Sequence, residues 1–180
     1  MKDTARVSLL RIGPPDVDLL RRIAIDTYLD HFKFLWDDQG NWYVKELYRR
    51  EVLEQELQQV YNFFYIIFQD SNPLGFVKVN MDSPLPGSVE GSVMELEKIY
   101  LRRNETGKGF GQVCLRMVFD LGLQKLKNIV WLKAMDSSLA AIGFYQRAGF
   151  DFCGTHRLDY PLMKEQFRGM VIMQKNLLAL

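Results

Sequence analysis

Hydrophobic residues recur along the chain with two spacings, and the changes between them predict the order of helices and strands. Apolar residues from Leu19 to Thr27 follow helical spacing, which predicts a first helix that begins after Pro14 and ends near Phe32. Further helices are predicted over residues 44–59, 107–127 and 137–148. Short runs rich in β-branched and aromatic residues predict strands over residues 7–12, 61–69, 74–81, 93–101, 129–133, 150–155 and 170–175.

The order of these elements predicts a mixed α/β (α+β) fold. A turn at residues 70–73 connects two strands of the first half into a hairpin. The second half alternates strand, helix, strand, helix and strand. No repeat, low-complexity tract or linker interrupts this order, so residues 1–180 are predicted to form one domain.

The composition is that of an ordinary globular protein, with 48% hydrophobic and 25% charged residues. Lys and Arg total 23 against 22 Asp and Glu, and the resulting net charge of +1 argues against nucleic acid as a partner. The first residues lack the apolar core of a signal peptide, and the longest apolar stretch, residues 63–68, is too short to span a bilayer. We therefore expect a cytoplasmic protein with no membrane partner.

The two cysteines, Cys114 and Cys153, are far apart and fit no metal-ligand or redox spacing. Free cysteine is often buried in proteins of reducing compartments, so both are predicted to be buried thiols. No metal site is predicted.

The most informative segment is a glycine-rich turn between a predicted strand and a predicted helix. Gly107, Gly109 and Gly111 follow the strand that ends at Leu101. The spacing fits neither a Walker A loop, which needs Ser or Thr after Gly-Lys, nor the dinucleotide fingerprint G-x-G-x-x-G. Free backbone N–H groups at a helix start can bind a phosphate, but glycines there can also serve only to let the helix pack closely. The glycines alone leave both interpretations open.

A second segment decides in favour of a ligand site, because it completes the resemblance to a known family. The glycine turn, a helix, a strand and then AIGFYQRAGF at residues 141–150 resemble the GNAT superfamily of acetyl-CoA-dependent N-acetyltransferases. The resemblance extends over about residues 64–177. Within the superfamily, ELEKIY at 95–100, VWL at 130–132 and GTH at 154–156 resemble the bacterial spermidine/spermine acetyltransferase-like group.

The resemblance implies a GNAT acyl-CoA N-acyltransferase fold. In this fold a mixed, mostly antiparallel sheet flanked by helices splays near residues 99–101 and 129–133, and acetyl-CoA lies in the gap. It also implies direct acetyl transfer from acetyl-CoA to a primary amine, without a metal or a covalent acyl-enzyme. The residues implied to bind the cofactor are Ile99, Tyr100, Leu101, Thr106, Gly107, Lys108, Gly109, Phe110, Gly111, Gln112, Ser138, Phe144, Tyr145 and Arg147.

Two of these positions depart from the family pattern. Thr106 stands where the family usually has Gln or Arg, and its hydroxyl can neither reach as far nor pair as a charge. Ser138 stands where the family usually has an Asn that contacts the pantetheine arm. Because serine is also a good helix N-cap, a purely structural role for Ser138 stays open.

Two residues are candidates for the chemistry. The family uses a tyrosine at the position of Tyr145 to protonate the leaving coenzyme A thiolate; the alternative is a core aromatic beside Phe144. Glu97 is the candidate base for the acceptor amine, directly or through water, with an exposed, salt-bridged glutamate as the alternative. Strand alternation predicts that Glu97 shares a face with Glu95 and Ile99.

The acceptor is predicted to be a small-molecule amine, most simply a polyamine, or else a peptide or antibiotic amine. Asp26 and Asp30 share a helix face, and together with Trp36 and His156 they are the candidate acceptor contacts. A solvated helix face with core aromatics is the alternative interpretation. A non-catalytic acyl-CoA sensor is the rival function. A homodimer is expected to form through the C-terminal strand at residues 171–175.

Overall fold

A computed structural model describes residues 7–87 and 92–178 of the chain. Its seven strands form one sheet in the order β1-β2-β3-β4-β5-β7-β6, with antiparallel neighbours except for the parallel pair β4–β5. The strands are β1 Val7–Ile12, β2 Asn62–Gln69, β3 Asn72–Met81, β4 Val93–Leu101, β5 Ile129–Met135, β6 Asp151–Arg157 and β7 Gly169–Asn176. The helices are α1 Val17–Phe32, α2 Asn41–Leu47, α3 Arg50–Gln58, α4 Phe110–Gln124 and α5 Leu139–Arg147.

Each face of the sheet carries its own hydrophobic core. On one face, Cys114, Leu115 and Val118 of α4 and Ile142 of α5 pack against β3, β4 and β5. On the other face, α1, α2 and α3 cover β2 and β3 with an aromatic-rich core. None of the helices in the described residues is long and apolar enough to cross a membrane. The mixed α/β fold predicted from the sequence is therefore confirmed.

The helix predicted over residues 44–59 is wrong in one respect, because the chain forms two helices there. The first, α2, ends at Leu47, and Arg49 is extended with ψ 151° before α3 begins. The guanidinium of Arg21 donates a hydrogen bond to the Tyr48 carbonyl at 2.9 Å, which satisfies a backbone group at the break. The buried Tyr48 side chain anchors the break in the core.

The sheet separates between β4 and β5. These strands pair only at their beginnings, from Val93 with Ile129 to Glu95 with Trp131, so the second half of β4 has β3 as a neighbour on one side alone. The same strand contains a β-bulge, because Lys78 and Val79 of β3 pair with Lys98 and Leu96, and Glu97 is left over. The predicted splay of the sheet is thus present.

Two predictions about the C-terminal strands are corrected by the topology. β7 pairs with β5 on one side and β6 on the other, so it has no free edge for a second copy of the chain. The open edge on that side belongs to β6, whose residues are all exposed. Cys153 lies on β6 and is therefore exposed, whereas Cys114 is buried in α4 as predicted.

Candidate active site

The glycine turn presents a row of backbone amides without partners. Gly107 and Gly109 have φ of 77° and 86°, and a Cβ atom at either position would meet no atom within 4 Å. The amides from Gly107 to Gly111 donate no hydrogen bond to any described residue, whereas Gln112 and Val113 both donate to the Gly109 carbonyl. Five consecutive N–H groups without an acceptor among the described residues, beside the N-terminus of α4, are an arrangement that can bind an anion.

The third glycine of the turn has a different purpose. A Cβ on Gly111 would lie 3.2 Å from Cζ of Phe144 in α5, so glycine here allows α4 and α5 to approach. The packing interpretation therefore applies to Gly111, whereas Gly107 and Gly109 pack against no described residue and remain available to a ligand.

The side chains of the turn are occupied within the chain. The Thr106 hydroxyl donates to the Arg103 carbonyl at 2.7 Å, and the Lys108 ammonium donates to Glu105 at 3.0 Å. The Phe110 side chain packs against the core beneath α4. The turn therefore offers its backbone, rather than long side chains, to a ligand.

The edge of β4 also directs backbone groups into the gap. The Arg102 amide donates to the Leu74 carbonyl of β3 at 2.8 Å, and Leu101 pairs with Gly75. By strand alternation the N–H and C=O groups of Leu101 and Ile99 point away from β3 and toward β5. The backbone of Tyr100 points toward β3, so only its side chain is available at the gap. His31 binds the Leu101 carbonyl through Nε2 at 2.7 Å.

A cavity of about 1030 Å³ connects these groups. It runs from the glycine turn through the gap between β4 and β5 to the aromatic core around α1 and α2. The Ser138 carbonyl accepts the first hydrogen bond of α5, from the Ile142 amide. Its side chain makes no capping bond, so its hydroxyl, at the cavity wall, has no partner among the described residues. The other side chains of α5 that line the cavity are Ala140, Ala141, Phe144, Tyr145 and Arg147.

Tyr145 of α5 lines this cavity and is its candidate acid. Its ring makes edge contacts with Phe144 and Phe150, at centroid distances of 5.2 and 5.6 Å, which fix its orientation. Burial raises the pKa of Tyr145 to about 12. The phenol therefore stays protonated at neutral pH and can donate a hydrogen bond or a proton into the cavity.

Glu97 lines the same cavity but is held by two lysines. Lys78 Nζ lies 2.6 Å from Oε2, Lys98 pairs with Oε1, and the Asn80 amide donates to Oε2 at 2.7 Å. Burial alone would raise the pKa of Glu97, but the charges of Lys98 and Lys78 outweigh it and hold that pKa below its ordinary value. Glu97 is thus a carboxylate at neutral pH.

The bulge changes which residues share a face with Glu97. Glu95 does, since Asn80 donates to both carboxylates, at 3.1 and 2.7 Å. Ile99 does not, because it packs with Leu96 in the core on the other face of the sheet. The alternation predicted for Ile99 is therefore wrong: the extra residue in β4 turns Lys98 to the face of Glu97.

Comparison with known proteins agrees with this geometry. Residues 22–150 match the model of the acetyltransferase (GNAT) family. The chain belongs to the GNAT family. It is therefore an acyltransferase, as the resemblance implied.

Individual relatives of this GNAT protein are distant. An uncharacterised N-acetyltransferase from the pepI 3′ region of Lactobacillus delbrueckii subsp. lactis is 22% identical over 151 residues, which is 83% of this chain and 87% of the relative. The streptothricin acetyltransferase of Streptomyces lavendulae is 30% identical over 92 residues, 48% of this chain and 49% of that enzyme.

A solved structure gives the same fold. The PaiA N-acetyltransferase of Thermoplasma acidophilum, crystallised in complex with coenzyme A, superposes with a TM-score of 0.71 at 18% identity and covers 95% of this chain and 99% of its own. The row of free amides and the open space above Gly107 and Gly109 fit a diphosphate such as that of coenzyme A.

The predicted acceptor contacts of this GNAT chain lie in different places. Asp26 pairs with Arg102 at 3.6 Å, and Asp30 accepts a hydrogen bond from the Arg103 amide at 3.1 Å; neither lines the cavity. His156 is an exposed residue of the edge strand and does not line it either. Trp36 does line the cavity, and its Nε1 donates to the Tyr28 hydroxyl at 2.9 Å. The structure thus brings only Trp36 of these four to the cavity.

Several cavity residues have no signal in the sequence. Tyr28 and Tyr160 line the cavity although they are far apart in the chain, and each belongs to a segment with no recognisable motif. Regular alternation predicts Lys98 on the face opposite Glu97, and the bulge brings the two side chains together. Among the described residues, no group of three or more His, Cys, Asp or Glu could hold a metal.

Proposed function

We propose that this protein transfers the acetyl group of acetyl-CoA directly to a primary amine of a small molecule. The observation that carries the proposal is that one cavity joins a row of five free amides to a protonated tyrosine. The amides suit a diphosphate, and the tyrosine suits a leaving thiolate. A non-catalytic acyl-CoA sensor would have no need of the second group.

Each end of the cavity supports one part of the proposed reaction. The amides of residues 107–111 would hold the diphosphate, while the backbone of Ile99 and Leu101 and the free hydroxyl of Ser138 would contact the pantetheine arm. Acetyl-CoA supplies an acetyl group activated as a thioester. The acceptor nitrogen would form a bond to the acetyl carbonyl carbon, and the Tyr145 phenol would give a proton to the sulfur as the carbon–sulfur bond breaks. The products are the acetylated amine and coenzyme A with a free thiol, and the phenol would regain its proton from solvent.

Glu97 is proposed to assist the loss of the acceptor's proton as a fixed negative charge beside ordered water, rather than to take up that proton itself. Its oxygens are already occupied by Lys78, Lys98 and Asn80. A second pocket of about 160 Å³ adjoins it and is lined by Glu56 and by Tyr48, whose buried hydroxyl has no partner among the described residues. Such a polar pocket can hold ordered water. The proton would pass along this water to the solvent, so the carboxylate of Glu97 would stay charged throughout.

A covalent acyl-enzyme has little support from either cysteine. Cys114 is buried in α4, and burial raises its pKa to about 12, so almost no thiolate is present at neutral pH. Cys153 is exposed on β6 and does not line the cavity. Direct transfer between the two bound substrates is therefore the proposed route.

The polyamine acceptor expected from the sequence loses its main support, because Asp26 and Asp30 bind Arg102 and Arg103 instead of facing the cavity. The proposal accordingly extends to primary amines in general. An antibiotic amine is the second candidate, favoured by the relative that acetylates streptothricin, whose match covers about half of each chain.

The proposal is tested by following thiol release from acetyl-CoA with a panel of primary amines. We expect release that depends on the amine, and a fall of about 100-fold in kcat for Tyr145→Phe with little change in coenzyme A affinity, since the phenylalanine keeps the ring and removes the proton. Tyr61→Phe, at an exposed tyrosine away from the cavity, is the matched control. Binding of acetyl-CoA without thiol release from any amine would favour the sensor instead.

A further inference from the structure

We infer that the acceptor is a primary amine carried on an aromatic or other large apolar body, with no second ammonium group. The inference rests on the proposed acetyl transfer and names the acceptor class for the same cavity. It is carried by the shape and charge of the end of the cavity farthest from the glycine turn.

Six aromatic side chains form that end, here named the aromatic wall: Tyr28, Phe32, Phe34, Trp36, Tyr43 and Tyr160. Tyr28 and Tyr43 stack with their centroids 4.0 Å apart and an interplanar angle of 3°. The Trp36 indole is fixed by its hydrogen bond to the Tyr28 hydroxyl. The aromatic wall is therefore a rigid, largely apolar surface that is formed before any ligand binds.

The charges beside the aromatic wall are balanced. Among the described residues that line the cavity, Glu97 is the only one with a carboxylate, and two lysines already pair with it. Lys133 also lines the cavity and pairs with Glu95 at 2.8 Å. A second ammonium group of a polyamine would thus lose its water against the aromatic wall without gaining a free carboxylate.

The acidic residues that follow Trp36 do not provide that carboxylate, because neither Asp37 nor Asp38 lines the cavity. Asp38, in the segment before α2, accepts hydrogen bonds from the amides of Gly40 and Trp42, so it caps that helix. Attraction between a cation and the rings would compensate only part of the lost hydration. The aromatic wall therefore favours the burial of an apolar body, and the acceptor's single amine reaches toward Glu97.

Phe34 extends the aromatic wall to the mouth of the cavity. It is 55% exposed, and its ring meets Phe167 edge-on at 5.2 Å. The Lys164 ammonium donates to its carbonyl at 3.0 Å and fixes the backbone. An exposed aromatic residue at a cavity mouth can be shortened without opening the core, which makes it a clean test of contact with the acceptor.

The test compares three acceptors with the wild type and two variants. For the wild type we expect kcat/KM for 2-phenylethylamine to exceed that for propylamine at least tenfold, because the ring is buried, and spermidine to be no better than propylamine. Phe34→Ala should lower kcat/KM for 2-phenylethylamine about fivefold through KM and lower that for propylamine by a clearly smaller factor, because propylamine has no ring to contact Phe34. Phe152→Ala, at a phenylalanine 53% exposed on β6 and outside the cavity, should change neither.

Two outcomes would overturn the inference and leave the proposed function intact: spermidine as the best acceptor, or equal effects of Phe34→Ala on both monoamines. Absence of thiol release with every amine would instead contradict the proposed function. In that case calorimetric binding of 2-phenylethylamine and of spermidine, each in the presence of coenzyme A, still decides the inference. Tighter binding of 2-phenylethylamine supports it, and equal or tighter binding of spermidine contradicts it.

Discussion

The two ends of the cavity are built from different parts of the polypeptide. At the glycine turn, backbone amides face open space and the side chains are turned elsewhere. At the aromatic wall and around Glu97, side chains contact one another through stacking, hydrogen bonds and ion pairs. Substitutions in the glycine turn should therefore change the free energy of unfolding little, whereas the opposite end of the cavity is part of the core.

This difference predicts separate consequences for substitutions. A change at the glycine turn should weaken ligand binding and leave folding nearly intact. A change among the interlocked side chains should lower the free energy of unfolding first. The predictions that follow test this separation, beginning with the largest expected effect.

Glu97→Gln should lower the free energy of unfolding by about 3 kcal/mol, because it leaves the buried Lys78 with only Glu56 and deprives Lys98 of its carboxylate. Urea denaturation at pH 7 measures this change in the free energy of unfolding. Glu46→Gln removes one side of an exposed ion pair with Arg49 and should cost less than about 0.5 kcal/mol. Equal losses in the two variants would mean that the ion pairs around Glu97 do not support the fold.

The same variant has a pH dependence with a definite sign. The pKa of Glu97 is lowered in the folded protein, so on acidification the unfolded chain takes up this proton first. The stabilisation is fully present above the ordinary glutamate pKa and decreases as the pH falls below it. The difference in unfolding free energy between wild type and Glu97→Gln should thus be smaller at pH 3.5 than at pH 7, if both are measured in urea.

Gly109→Asp should weaken coenzyme A binding about 30-fold or more, because a carboxylate would enter the open space that the free amides face and repel the diphosphate. Gly87→Asp is the matched control: Gly87 has φ 83°, also has no atom within 4 Å of a Cβ, and lies outside the cavity. Calorimetry measures the affinity of each variant for coenzyme A. The free energy of unfolding should fall by a similar, small amount in both variants. Equal affinities of the two variants for coenzyme A would contradict a role of the amides in binding.

Gly111→Ala should have the smallest effect, a loss of less than about 1 kcal/mol in unfolding free energy, because its Cβ would approach Phe144 at 3.2 Å and the ring must shift slightly. Phe144→Leu combined with Gly111→Ala should recover part of that loss, as thermal denaturation would show. This glycine marks where the open turn meets the packed core. If the losses in unfolding free energy of the two single variants simply add in the double variant, residues 111 and 144 are not in repulsive contact.

Much of the fold follows from local patterns in the sequence. Helical spacing from Leu19 to Thr27 correctly located α1, and the turn at residues 70–73 correctly joined β2 to β3. The division of the helix predicted at 44–59 was missed, because Tyr48 fits a helical pattern. Its carbonyl is bound by Arg21, which lies 27 residues earlier. Cys153 was expected to be buried, but burial depends on where β6 lies in the sheet.

The candidate site likewise has one part that local sequence patterns predict and another that depends on contacts between distant residues. The glycine turn was recognisable because its three glycines stand within five residues and act through their own backbone. The aromatic wall was not, because it is assembled from residues 28 to 160 by packing alone. The position of Lys98 beside Glu97 depends on a β-bulge, and no residue type marks a bulge reliably.

The extra residue in β4 has a consequence for the evolution of the strand. Before Glu97, even-numbered residues such as Leu96 point into the core beneath α4; after it, odd-numbered residues such as Ile99 do. Deleting Glu97 would restore regular alternation and leave Lys98, Ile99 and Tyr100 on their present faces, because the residue removed is the extra one. A single-codon insertion or deletion at the bulge therefore leaves both cores assembled, and the bulge marks a position at which β4 can change its length in evolution.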